Sequence, residues 1–307
     1  MWGKRAVGAN FLDIHRRNLP IIYVQPESSC YRIRVGEESI KRFNSIALKE
    51  GFSTHRTTFL FGRINKITGN VTVHCSCEPQ QTNYIDHVEI IPDFNIKIPM
   101  LIADCFGMEC VGIVYSHFAE EFYPMTPYMV QLSAHYQNFC GEYFTTLVVI
   151  PSPNDETGLH VEPFQVSDPA MKLEQENLFA HSDDPHNVCL TEDILNTFEN
   201  KKGNKWDVNF FLTPTRIKST ESKFPSHIFP NPSEYPSPID FITYMKKKES
   251  FPTWLQLFDF NLLVFLVSNN VISENDIPDV VDSIIKMDDI SPKIMASINN
   301  YIRVNEK

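Results

Sequence analysis

A chain of 307 residues offers two domains' worth of polypeptide at roughly 150 residues each, enough to bury most of its apolar surface. Its 42% hydrophobic and 21% charged residues exclude a disordered tail, and its net charge of −11 excludes a general nucleic-acid binder, which needs a basic surface. Glycine is scarce, 11 residues against 21 prolines, no G-x-G occurs, and neither G-x-x-x-x-G spacing (Gly3 to Gly8, Gly107 to Gly112) is followed by Lys and Ser/Thr. The common phosphate-cradling loops are thereby excluded.

The charge is uneven. Residues 1–50 carry nine Lys/Arg and five Asp/Glu (9 − 5 = +4), which leaves 18 and 33 for the rest (18 − 33 = −15). A basic N-terminal arm, residues 1–29, therefore precedes an acidic body and reads as a solvated extension.

Beyond the arm, Cys30–Val35 alternates like a strand, and Ile40, Phe43 and Ala47 recur at helical spacing within Ser39–Leu48, with Gly51 as a stop. Thr57–Ile64 and Val71–Cys77 read as a hairpin turned at Thr68-Gly69-Asn70. Ile96–Cys105 predicts a helix interrupted by Pro99, and Cys110–Tyr115 a short buried strand. Tyr143–Ile150 and Leu159–Val166 are two more strands around the turn-rich Pro151–Gly158. A helix follows from Asp168, with Pro169 at its first position. Strands mixed with helices predict an α/β domain over residues 30–215.

Six prolines lie between Pro214 and Pro238. Proline removes backbone donors and fixes φ, so residues 216–238 are expected to be a linker without regular elements. Residues 239–307 predict a small helical domain of four amphipathic helices. The first is capped by Asp240 and runs to Lys248, and the second is apolar around Trp254, Leu255, Phe258, Leu262, Phe265 and Leu266. The third follows the capping arrangement Ser273-Glu274-Asn275-Asp276, and the last opens at Ser291-Pro292.

Seven cysteines without a C-x-x-C fit neither a disulfide framework nor paired zinc knuckles, and Cys75 and Cys77, on one face of a strand, read as buried thiols. Met1–Pro20 has no apolar h-region, and the longest apolar run, Leu262–Val267, is too short for a membrane span. A reduced cytoplasmic or nuclear protein is expected, with the sequon at Asn70-Val71-Thr72 accidental.

Gly112-Ile113-Val114-Tyr115-Ser116-His117 resembles the zinc segment of MPN (JAMM) isopeptidases, Gly-Trp-x-His-Ser-His-Pro followed by a distant Asp. That family holds zinc with two His and one Asp and uses a Glu, set before a strand ending in Gly, as general base. The strand here is Phe59-Leu60-Phe61-Gly62. Carried onto this chain, the Glu position falls on His55, the first His on Tyr115 and the Asp on Tyr128; Ser116 and His117 alone match. One imidazole does not hold zinc against water, and a neutral phenol is a poor ligand. The resemblance thus implies a vestigial metal pocket with no catalytic residue, no metal and no cofactor. A zinc-dependent deubiquitinating isopeptidase with altered ligands, His55 and His117, is the alternative; Glu120 and Glu121 would have to fold back to complete it.

Longer stretches are more specific. Leu159-His160-Val161-Glu162-Pro163-Phe164-Gln165-Val166-Ser167 resembles the V-H-F-E-x-Y-Q-V-S segment of the nuclear protein localization protein 4 family. Asp259-Phe260-Asn261-Leu262-Leu263-Val264-Phe265-Leu266-Val267-Ser268-Asn269 resembles its D-F-H-L-L-L-F-L-V-T-N helix. Tyr31-Arg32, Phe61-Gly62-Arg63, Cys77-Glu78-Pro79-Gln80 and Asn200-Lys201-Lys202-Gly203-Asn204 fit in the same order, so the resemblance covers roughly residues 30–290. It implies an MPN domain with a mixed β-sheet and flanking helices, followed by a C-terminal helical domain, with a groove between them for an unfolded ubiquitin moiety. It also implies a non-catalytic adaptor. With ubiquitin fusion degradation protein 1, such proteins recruit polyubiquitinated substrates to the AAA ATPase valosin-containing protein for proteasomal degradation, including ER-associated degradation. Cytoplasm and nucleus follow as locations, with the ER membrane reached through partners. Family members usually carry a ubiquitin-like domain and zinc fingers ahead of the MPN domain. This sequence is expected to lack both, which leaves docking on the ATPase to the basic arm with Arg16 and Arg17. A structural MPN subunit of a larger complex is the remaining alternative.

Overall fold

The computed structural model describes residues 19–118, 123–155, 157–221, 224 and 228–306. Arg16 and Arg17 of the basic arm, and Glu120 and Glu121, lie outside the described residues.

The chain starts with strands β1 (Ile21–Ile22) and β2 (Arg32–Gly36), helix α1 (Glu37–Lys49) and the hairpin β3 (Arg56–Asn65) and β4 (Asn70–Cys77). Short strands β5 (Gln81–Asn83) and β6 (Val88–Ile90) precede α2 (Lys97–Cys105), β7 (Glu109–Ser116) and α3 (Pro127–Cys140). Then come β8 (Thr145–Pro151), β9 (Leu159–Val166), α4 (Asp168–Gln175), β10 (Phe179–Ala180), β11 (Asn187–Asn196), β12 (Lys201–Asp207), β13 (Leu212–Pro214) and β14 (Arg216–Thr220). Helices α5 (Pro238–Lys247), α6 (Thr253–Leu257), α7 (Phe260–Ser268), α8 (Ile277–Lys286) and α9 (Pro292–Asn305) complete it. The expected mixed α/β class is what the chain adopts.

Eight strands form one mixed sheet in the order β13-β9-β8-β7-β3-β4-β2-β14. Its two end strands are separated in sequence by Thr215 alone, so the sheet curls until segment 212–220 bridges β9 at one end and β2 at the other. Period-two alternation sorts the two faces. Ile33, Val35, Leu60, Val71, Val73, Val114 and Leu147 pack against Ile40, Phe43 and Ala47 of α1. Phe59, Phe61, Cys75, Cys77, Ile113 and Tyr115 face α2, α3 and the C-terminal helices in one continuous core, with Phe61 against Phe260 at 5.1 Å between ring centroids.

Gly112 in β7 is required by that packing. A Cβ there would sit 2.3 Å from the Thr145 carbonyl oxygen on β8, so the strands close only over a hydrogen.

Five expectations change. Helix α3 was not expected, because its inward side, Met129, Val130, Ser133, Ala134 and Gln137, is too small and polar to read as an apolar stripe. A second sheet, β1-β11-β10 with β12 on β11, was also missed; its strands are polar and its register breaks between Cys189 and Ile194. The proline-rich stretch begins with strand β14, since residues 216–220 fall between Pro214 and Pro225 and keep every backbone donor. Asp240 is not the cap of α5: Ser237 is, and Asp240 closes the box from the third position. The expected single apolar helix is split into α6 and α7 by Asp259, whose carboxylate accepts from the amides of Asn261 and Leu262 at 3.1 and 3.3 Å.

The two family-like segments turn out to be scaffold. Gln165 is buried, accepts from the Cys30 amide at 2.8 Å and donates to the carbonyls of Glu142 and Phe144 at 2.7 and 2.8 Å. Asp259 also accepts from the amides of Ile228 and Phe229, both at 2.9 Å, tying the proline segment to α7. Among the described residues no helix is long and apolar enough to cross a membrane.

Candidate functional site

Strands β3 and β7 run antiparallel with Arg56 opposite Ser116, so His55 and His117, one step further, become cross-strand neighbours. Their ring centroids lie 5.0 Å apart, edge to face. The backbone amide of His55 donates to the Tyr84 carbonyl at 2.8 Å, which anchors the loop before β6 to the site. The ring Nε2 of His117 is 2.7 Å from the Pro124 carbonyl oxygen; a carbonyl only accepts, so Nε2 carries the proton and Nδ1 the lone pair.

Both imidazoles are held neutral. Burial, then the positive charge His117 would carry, pulls the His55 pKa down to about 4, against an opposing pull from Asp86. Burial also lowers that of His117, partly offset by its bond to Pro124. Nδ1 of His55 is buried with no hydrogen-bond partner among the described residues.

The two rings open into a cleft of about 680 Å³. Tyr128, at the start of α3, lines it beside His87, their ring centroids 5.3 Å apart. His87 is stacked on Tyr84 at 4.3 Å and bonded to Asp86 at 2.9 Å, a contact that lowers the Asp86 pKa. The far wall is the turn between β10 and β11, where His186 stacks on Tyr123 at 3.9 Å and Asp184 pairs with Lys205 at 2.7 Å. Exposed Ile85 and Phe118 stand at the rim.

Of the five positions singled out in the sequence, the structure brings His55, His117 and Tyr128 to this cleft. Tyr115 and Ser116 are buried in the strand and do not line it. Tyr115 points into the core beside Ser133, and burial pushes its phenol pKa well up. The donor set does not fit zinc. Two imidazoles face each other, Asp86, the carboxylate that acts on His55, is engaged with His87, and a phenol so strongly protonated is no ligand. Among the described residues no group of three or more His, Cys, Asp or Glu side chains converges to hold a metal. What the cleft offers is neutral imidazoles, aromatic faces and an apolar rim, chemistry for stacking and hydrogen bonding. Sequence reasoning missed His87, Tyr84, Tyr123 and His186; they come from separate segments that only tertiary pairing unites, and no local pattern marks them.

A second cleft, of about 390 Å³, lies between α7 and the proline segment, lined by Phe94, Pro230, Pro232, Tyr235, Asn261 and Phe265 among others. At its floor Asn261 is buried, donates to Asn231 Oδ1 at 2.8 Å, and keeps its own Oδ1 without a partner among the described residues.

No family model matches the chain. It is 29% identical over 255 residues to "Nuclear protein localization protein 4 homolog" of Dictyostelium discoideum, a match covering 80% of this chain and 43% of that protein. It is 26% identical over 247 residues to "NPL4-like protein 1" of Arabidopsis thaliana, covering 76% and 58%, and 25% identical over 241 residues to "NPL4-like protein" of Oryza sativa subsp. japonica, covering 73% and 57%. The chain spans about half the length of the curated relatives it matches.

Proposed function

Because this chain belongs to the nuclear protein localization protein 4 family, we propose that it is a non-catalytic, ubiquitin-binding adaptor. In this reading it works with ubiquitin fusion degradation protein 1. Together they deliver polyubiquitinated substrates to the AAA ATPase valosin-containing protein, in cytoplasm and nucleus and, through partners, at the ER membrane. One observation carries the non-catalytic part: of the three positions that would have held zinc only His117 is an imidazole, the phenols Tyr115 and Tyr128 stand at the other two, and the neutral His55 stands where the general-base Glu would be. The cleft between α7 and the proline segment supports the binding part. It presents prolines, an exposed tyrosine and one buried carbonyl acceptor, a surface suited to an extended backbone.

The experiment is calorimetric titration of the chain with ubiquitin chains, alone and with ubiquitin fusion degradation protein 1. Binding weakened about tenfold by Tyr235→Ala is the expected result. No detectable binding in either format refutes the adaptor reading. The zinc isopeptidase remains as a second reading because His55 and His117 do meet. One stoichiometric zinc together with cleavage of a ubiquitin chain would establish it.

A further inference from the structure

We propose that the edge strand β14 and the cationic sheet face beside it capture an extended acidic segment of a partner protein by strand addition. In the parallel pair of β14 with β2, Arg216 stands in register with Arg32 and Lys218 with Arg34. Ile33 and Val35 point into the core under α1, so alternation sends Arg32 and Arg34, and with them Arg216 and Lys218, to the opposite face. The row continues across β4 through Asn70 and Thr72 to Arg63 on β3. None of the four cations on β2 and β14 forms a salt bridge with a described carboxylate. Arg216 instead donates to the Tyr31 hydroxyl at 2.6 Å, with its guanidinium 4.8 Å from that ring's centroid. In a chain of net charge −11, four uncompensated cations in a two-by-two array are a local reversal of sign.

The second observation is independent of charge. Segment 212–220 pairs with β9 only as far as the Thr215 amide, which donates to the Pro163 carbonyl at 3.0 Å. Beyond it the chain leaves β9, and the outer edge of β14 pairs with no strand among the described residues. Residues 216–218, which carry both cations of the strand, are all exposed. Such an edge is a template for one more strand. Charged residues on an edge commonly only guard against self-pairing. Here the positive residues reach inward to the second strand, where a guard would have no use.

The register sets the partner's pattern. On an added strand, side chains directly opposite Arg216 and Lys218 recur at every second position, so Asp or Glu must alternate with other residues. A labelled hexapeptide alternating Val and Glu, titrated by fluorescence anisotropy against the full chain, is expected to bind saturably and to weaken with added salt. A peptide of the same composition with its three Glu in one block should bind about tenfold more weakly, as should the alternating peptide against the double variant Arg34→Glu, Lys218→Glu. Both substituted side chains are exposed, and an unchanged circular dichroism spectrum and melting temperature certify the fold. Absence of saturable binding, equal affinity for the block peptide, or an unaffected double variant overturns the proposal. Tighter binding of a short RNA or of anionic vesicles than of the alternating peptide overturns it too.

Discussion

Mild acid should unfold this protein through His55. The imidazole is held at about 4 in the fold, against about 6.5 when solvated, so the native state binds fewer protons than the unfolded state between those values. The stabilisation is complete above about pH 6.5 and is lost as the pH falls toward 4. Working the two protonation equilibria between about pH 7 and about pH 5 gives about 2 kcal/mol lost from His55 alone. His117 adds to this in the same direction. The groups around His55 are His117, His87 and Asp86, of which only the carboxylate opposes the loss. Urea unfolding followed by tryptophan fluorescence at both pH values, for the wild type and His55→Gln, isolates the contribution. Whatever Gln does to absolute stability cancels in the change with pH. The variant should lose about 2 kcal/mol less than the wild type on acidification. An identical loss in both proteins would show that His55 is not a buried neutral imidazole, and the electrostatic account of the cleft would fall with it.

Other substitutions test the scaffold. Asp259→Ala removes an acceptor shared by four backbone amides and should cost about 2–4 kcal/mol by chemical denaturation, because the amides of Ile228 and Phe229 are left unpaired together with the α7 cap. Gly112→Ala should cost about 1–3 kcal/mol in the same assay, since its Cβ meets a carbonyl that belongs to the β8 backbone and cannot swing away. Glu78→Gln should destabilise by about 3–5 kcal/mol, leaving the buried Arg56 guanidinium with Glu50 alone as its charged partner at 2.8 Å. Gln165→Leu should lower the melting temperature by several degrees through three lost hydrogen bonds, without altering peptide or ubiquitin binding.

The local elements were largely legible. The β3–β4 hairpin, helix α1 with Gly51 beyond it, strands β7, β8 and β9, helix α8 behind its Ser273–Asp276 capping box, and helix α9 each announce themselves within a dozen residues, through periodicity, a turn or a cap. Helix α3 did not, since its buried side carries Ser133 and Gln137 and its packing is set by neighbours. The site was legible in part. The resemblance to the MPN metal segment led to His55, His117 and Tyr128, but the same resemblance led to Tyr115 and Ser116, which are buried in the strand and do not line the cleft.

The amino-acid order alone determined the fold class and the sign of the net charge, because each of these depends on which residues are present. Tertiary structure alone decided which side chains share a space. The 5.0 Å approach of His55 to His117 exists only through the β3–β7 register, and the His186 wall only because a second sheet folds beside the first. The outer edge of β14, which pairs with no strand among the described residues, likewise arises only because the sheet curls and one segment changes partners at Thr215. Register and curvature are long-range properties, summed from many weak pairings, and no short window of sequence contains them.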